Sequence, residues 1–125
     1  MEQKNTVKSF TDLRVWQEGH QLVLAVYRAT KLFLHEEQFG LTSQIRRAAV
    51  SITSNIAEGF SRKSQKEKLQ FFSTAHGSLT EVQNQILIAR DVGYFPSEDF
   101  QKLAQQTVSV HKLLNAFISK TKTFQ

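Results

Sequence analysis

At 125 residues the chain suits one domain, long enough to bury a core and too short for two of ordinary size. It has no cysteine, which excludes a disulfide framework, thiolate metal ligands and a cysteine nucleophile and suits a reducing, cytoplasmic setting; apolar runs of only a few residues and a polar N-terminus argue against a membrane span or a secretory signal. Sixteen Lys and Arg against eleven Asp and Glu leave a formal charge of +5, a balance that favours polyanionic partners such as RNA.

One proline and five glycines give little punctuation, and each clear break falls between stretches of helical periodicity, so the expected class is all-α. The spacing predicts a first helix from about Asp12 to Leu34, capped by Thr11 or Asp12, with Leu13, Trp16, His20, Val23, Tyr27, Thr30 and Leu34 as its core seam and Val15, Leu22, Val26 and Phe33 widening it. After HEEQFG a second helix is predicted over Leu41 to Phe60. Ser64 and Glu67 form a Ser-x-x-Glu capping pattern that starts a third helix, which runs to about Val92 with Phe71, Phe72, Ala75, Leu79, Val82, Ile86 and Ala89 inward and Gly93 as its stop. Pro96, Ser97, Glu98 and Asp99 suit the start of a fourth helix carrying Phe100, Leu103, Thr107, Val110, Leu114 and Phe117 on one stripe. Short connections between four helices predict an antiparallel up-down-up-down four-helix bundle over residues 10–119, between polar tails at 1–9 and 120–125.

No pattern for chemistry emerges. Metal-binding bundles need inward Glu-x-x-His pairs, and none occurs; His20, His35, His76 and His111 are far apart in sequence, which reads as packing or exposure and as no metal site. GFSRKS lacks the spacing of a phosphate loop, and no Gly-x-Ser-x-Gly elbow is present, so neither a catalytic residue nor a cofactor is expected. Asn55 projects toward the core side and is expected to be a structural polar group with its own hydrogen-bond partners. Glu58 is placed to pair with a nearby base. The segment SRKSQKEK, with Arg62, Lys63, Lys66 and Lys68, reads either as a solvated loop or as a phosphate contact to which Arg46 and Arg47 add if an oligomer brings them near, and no aromatic platform is evident beside it.

Two helices carry surfaces unlike ordinary solvent faces. On a projection of about 100° per residue, Val50 and Ala57 fall outside the apolar arc of the second helix, and Ser51, Ser54, Glu58 and Arg47 share the remaining strip. The nominal outer face of the third helix is Gln70, Ser73, Thr74, Gly77, Thr80, Glu81, Asn84 and Gln85, with one charge among them, whereas interfaces are depleted of charge. Val50, Ser51, Ser54, Ala57, Glu58, Thr74, Gly77 and Glu81 are therefore the expected contacts of a homo-oligomer. Arg46 and Arg47 either anchor that interface through a carboxylate such as Glu58 or line a basic surface.

FTDLRVWQEG, FGLTSQIRRAAVSITSNIAEGFSRKS and HGSLTEVQNQILIARDVGY together resemble the bacterial four-helix-bundle proteins first described from intervening sequences in 23S ribosomal RNA genes. The likeness spans about residues 10 to 118, and QIRRAAVSITSNIAEG carries most of it; Thr53 and Leu34 stand where that family often has proline. The resemblance implies a left-handed antiparallel bundle that assembles into a ring, typically a pentamer; the lack of a convergent set of titratable groups argues separately against an enzyme. It further implies kinship with accessory proteins of diversity-generating retroelements, basic bundles that bind a reverse transcriptase and its RNA. On that basis Arg46, Arg47, Arg62 and Lys63 become the residues to watch. A protein-only adaptor, serving for example a reverse transcriptase, is the alternative to an RNA-contacting one.

Overall fold

The computed structural model describes residues 6–123; the first five residues of the expected N-terminal tail and the last two of the C-terminal one lie outside that range. All regular structure among the described residues is helical: α1 (Arg14–Thr30), α2 (Leu41–Ser61), α3 (Gln65–Asp91) and α4 (Ser97–Thr123), with single 3-10 turns at Phe10–Asp12 and His35–Glu37. Each helix packs on the next and α4 returns to α1, with α2 and α3 in the closest association. Contacts across the seams run in opposite senses: Ser51 meets Ser78 while Gly59 faces Phe72, and Gln65 reaches Thr121 while Gln83 reaches Thr107. Neighbouring helices are therefore antiparallel, as three- to ten-residue connections require.

The ends of α1 depart from the periodicity. Leu13 has an extended backbone (ψ 128), so the chain makes a separate 3-10 turn first; Ser9, rather than Thr11 or Asp12, caps it, and the Asp12 carboxylate receives the Ser9 amide in a reciprocal capping box. At the other end α1 stops at Thr30, and Leu34, also extended, is exposed. The chain leaves the helix where Phe33 turns inward to close the core, its ring 5.4 Å from Tyr94 and 5.6 Å from Phe95. The buried stripe of α1 is also rotated from the expected seam. Val15, Gly19, Leu22, Val23, Val26 and Thr30 are buried, whereas Trp16 and His20 stack on each other at the margin and Tyr27 is 39% exposed. Counting large apolar side chains overlooks Gly19, whose missing Cβ lets α1 settle against α2: a methyl there would stand 3.1 Å from Thr53 Cγ2.

The core of α2 is Ile45, Ala48, Ala49, Ile52, Ile56 and Gly59, with Thr42 and Thr53 also buried. Fully burying an isoleucine such as Ile52 contributes about 1.5–3 kcal/mol, so the three isoleucines alone account for much of the adhesion of this helix. Gly59 allows a close approach of α3 to α2. An added Cβ would lie 2.6 Å from Phe72 Cε1 and 2.9 Å from Phe71 Cβ.

On α3 the Ser64 hydroxyl accepts the Glu67 amide at 3.0 Å, and Gly93, with φ +81, takes the left-handed conformation after the last turn. Gln85, assigned by periodicity to the outer face, is instead only 5% exposed, while the other seven polar positions of that face are exposed. Phe71 is half-buried beneath the Arg62 guanidinium, which lies 4.8 Å from its ring centre. The expected tail from residue 120 is helical as far as Thr123, because the Gln65 side-chain amide donates to the carbonyls of Thr121 and Lys122 and so ties the end of α4 to the start of α3.

Candidate functional site

The antiparallel order gathers at one end of the bundle the start of α1, the α2–α3 turn and the end of α4. In those turns and connections lie Lys8, Arg14, Arg62, Lys63, Lys66, Lys68, Lys120 and Lys122, against Asp12, Glu58 and Glu67. The opposite end holds Arg28, Lys31 and Arg90 against Glu36, Glu37, Asp91, Glu98 and Asp99. The excess positive charge of the chain is thus concentrated at one pole, and Lys120 and Lys122 join the cluster from a part of the sequence more than fifty residues away.

The expected basic residues divide by what holds them. Arg62 forms a 3.1 Å ion pair with Glu58 one turn earlier, half-exposed and so worth at most about 1 kcal/mol, and covers Phe71. Lys68 donates to the Phe60 carbonyl at 2.8 Å, closing the C-terminus of α2 as a cation suits a helix end. Lys63 and Lys66 are exposed, as are Lys120 and Lys122. Beside Lys63 opens a cleft of about 350 Å³ lined also by Phe60, Gln65, Lys68, Phe72, Phe117 and Thr121. The partly exposed rings of Phe60 and Phe117 therefore flank the basic segment, which the sequence did not show. Phe117 comes from α4, and periodicity assigned both it and Phe72 to the core.

Arg46 and Arg47 lie elsewhere and take different roles. Arg46 donates its Nε proton to Thr30 Oγ1 at 2.8 Å and sits 4.6 Å over the Tyr27 ring, so it locks α2 to the last turn of α1. Within the chain Glu58 lies more than three turns further along the helix and holds Arg62. Arg47 is exposed beside a groove of about 540 Å³ that is lined also by Tyr27, Phe39, Ser43 and Val50, where Phe39 is 90% exposed.

Among the expected oligomer contacts, Ser54 and Glu58 on α2 and Thr74, Gly77 and Glu81 on α3 are exposed, Val50 is partly exposed and Ala57 is half-buried. Ser51 turns toward α3, where its hydroxyl shares a 2.7 Å hydrogen bond with Ser78 and also accepts from Asn55 Nδ2 at 3.0 Å. Asn55 donates to the Ser51 carbonyl as well, at 2.8 Å. The Ser51–Ser78 bond crosses between α2 and α3 and so opposes sliding of one helix on the other, which would leave the buried Ser78 hydroxyl without Ser51, whereas Asn55 is satisfied within α2 itself.

At the acidic end the Tyr94 hydroxyl donates to Glu37 at 2.5 Å, and the Leu41 amide donates to the same carboxylate at 3.1 Å. These two donors, the hydroxyl foremost, hold Glu37 below the usual carboxylate range, while the carboxylate raises the Tyr94 phenol. Among the described residues no three His, Asp or Glu side chains gather as a metal-binding group, and no helix is long and apolar enough to cross a membrane.

A crystal structure of a protein of unknown function from the S23 ribosomal protein family of Bacteroides thetaiotaomicron VPI-5482 superposes with a TM-score of 0.78, at 20% identity over 84% of this chain and 95% of the other. A likeness at that identity speaks for the shared bundle alone. No match was found among curated proteins. The model of the 23S rRNA-intervening sequence protein family matches residues 11–116, which takes in all but the last turns of the bundle, and the chain belongs to that family.

Proposed function

We infer that the protein is a non-enzymatic, cytoplasmic, ring-forming bundle, with five copies the expected number, that contacts RNA phosphates through the pole where α2, α3 and α4 bring their lysines together. The observation that carries this reading is the one-sided charge: eight Lys and Arg against three acids at one end, with an acidic opposite end. Lys63, Lys66, Lys120 and Lys122 are the residues proposed to meet phosphate, because they are exposed, Lys63 in the α2–α3 turn and the others on the terminal turns of α3 and α4. Arg62 and Lys68 frame the cleft while serving the fold. Support for self-association comes from the exposed face of α3, where Glu81 is the one charge among Gln70, Ser73, Thr74, Gly77, Thr80 and Asn84.

Titration of a labelled structured RNA at several salt concentrations tests the first part. Binding should weaken steeply with salt, and replacing Lys63, Lys66, Lys120 and Lys122 together by Gln should flatten the slope of log K against log salt by up to about one unit per lost contact. Equal binding and slope in the quadruple variant would overturn it. Light scattering tests the second part, and a single-chain mass at micromolar concentration refutes assembly. The protein-adaptor reading draws support from exposed Phe39 in the groove beside Tyr27 and Val50. A partner retained after nuclease treatment and lost in Phe39→Ser would favour it.

A further inference from the structure

His76 on α3 and His111 on α4 stand thirty-five residues apart in sequence, yet their Nε2 atoms are 3.2 Å from each other. The ring centres are 4.9 Å apart and the planes cross at 79°. Both side chains are half-buried near the middle of rigid helices, where neither loop motion nor fraying moves them. In the metal-free pair one imidazole donates its Nε2 hydrogen and the other accepts.

Two imidazole nitrogens bound to one tetrahedral metal at about 2.0–2.1 Å each are about 3.3–3.4 Å apart. The observed separation of 3.2 Å is within about 0.2 Å of that value, so the two nitrogens already stand at the spacing that a shared ion requires. We propose that His76 and His111 form a two-imidazole site for a divalent transition-metal ion, with zinc as the reference case, that staples α3 to α4. The proton balance is simple: the donor ring moves its hydrogen from Nε2 to Nδ1, both Nε2 lone pairs face the metal, and water fills the remaining positions. Imidazole ligands without thiolate or carboxylate suit zinc, copper and nickel over magnesium or calcium. The spacing of the histidines in the sequence shows none of this, because two helices supply one ligand each.

The test is calorimetric titration of the full-length chain with zinc ion alone, without RNA, beside the variants His76→Gln, His111→Gln and His35→Gln. His35 is exposed in the α1–α2 connection and is the control for adventitious surface binding. One zinc per chain is expected, weakened at least about tenfold by either His76→Gln or His111→Gln and unchanged by His35→Gln. Saturating zinc should raise the melting temperature of the unmutated chain and leave that of both site variants where it was. A readout free of substitution is the zinc-dependent shift of the His76 and His111 imidazole resonances. Zinc uptake equally strong in His76→Gln and His111→Gln, or no shift of those resonances, would overturn the proposal.

Discussion

The same substitution, glycine to alanine within a helix, should move stability in opposite directions at two positions of this bundle. At Gly77 on α3 an added Cβ has nothing within 4 Å. The change then acts through backbone entropy alone and should stabilise by about 0.5–1 kcal/mol. At Gly59 on α2 the same methyl lands 2.6 Å from Phe72 Cε1 and 2.9 Å from Phe71 Cβ, roughly 1 Å inside the favourable carbon–carbon distance of about 3.5–4.0 Å. Phe72 has no room to yield: it is 1% exposed and its ring lies 4.8 Å from that of Phe117. The helices must part or the ring must leave its rotamer, at a cost of about 1–3 kcal/mol that the gain in helix propensity offsets only in part. Thermal unfolding followed by circular dichroism should show Gly59→Ala melting several degrees lower and Gly77→Ala a few degrees higher than the unmutated chain, at about 3–5 °C per kcal/mol for a domain of this size. Gly77 also lies on the face proposed for self-association, so the comparison is made at two protein concentrations. A gain at Gly77 that vanishes only at the higher one indicates that the added methyl meets a neighbouring subunit. A raised melting temperature for Gly59→Ala would refute the close approach of α2 to α3.

Arg46→Ala should lower stability by about 1–2 kcal/mol through loss of the Thr30 hydrogen bond and the stacking on Tyr27, while Arg47→Ala, at an exposed position, should stay within about 0.5 kcal/mol; denaturant titration separates the two. Gln85 Oε1 is buried without a hydrogen-bond partner, so Gln85→Met should raise stability by about 1 kcal/mol in urea unfolding, and a loss of that size would mean that the oxygen has a partner in solution. Tyr94→Phe tests the linkage at the acidic end. Glu37 titrates lower in the fold than in the unfolded chain, so its contribution is complete above the unfolded value, about 4.3, and is lost as pH falls through the folded one. The stability difference between Tyr94→Phe and the unmutated chain should therefore be steady near neutral pH and shrink under acid conditions; a difference that does not change with pH would contradict the hydroxyl–carboxylate bond.

Local signals in the sequence were enough for the helix count, the stop at Gly93 and the Ser64 cap, because each is set by residues within a turn or two. The rotation of α1 was not legible, since a periodicity count favours Trp16 and Tyr27 for their size while the packing turns on Gly19 and the β-branched positions. Gln85 misled for the opposite reason: a polar side chain on the expected outer face lies inward in this bundle. At the candidate site, Lys63 and Lys66 stand out in the local charge run. Lys120 and Lys122 do not, because their proximity depends on an antiparallel return of α4 to α3. Nor could composition tell that Arg62 and Lys68 are engaged by Glu58, Phe71 and the Phe60 carbonyl. The meeting of His76 with His111 is likewise a product of helix register across a seam, which a linear spacing rule does not sample.

The unequal charging of the two poles has a kinetic consequence. With twenty-seven residues each, α3 and α4 extend about 40 Å, several times the screening length of about 8 Å at physiological salt. Near a polyanion the two ends feel forces of opposite sign, and the resulting torque turns the helix axes toward the surface before any side chain touches it. On the proposed RNA contact, docking would then begin end-on with the basic pole leading and the pole carrying Glu37, Tyr94 and Asp99 turned away. The preference should fade as salt rises, and association should slow before the complex itself loses its contacts.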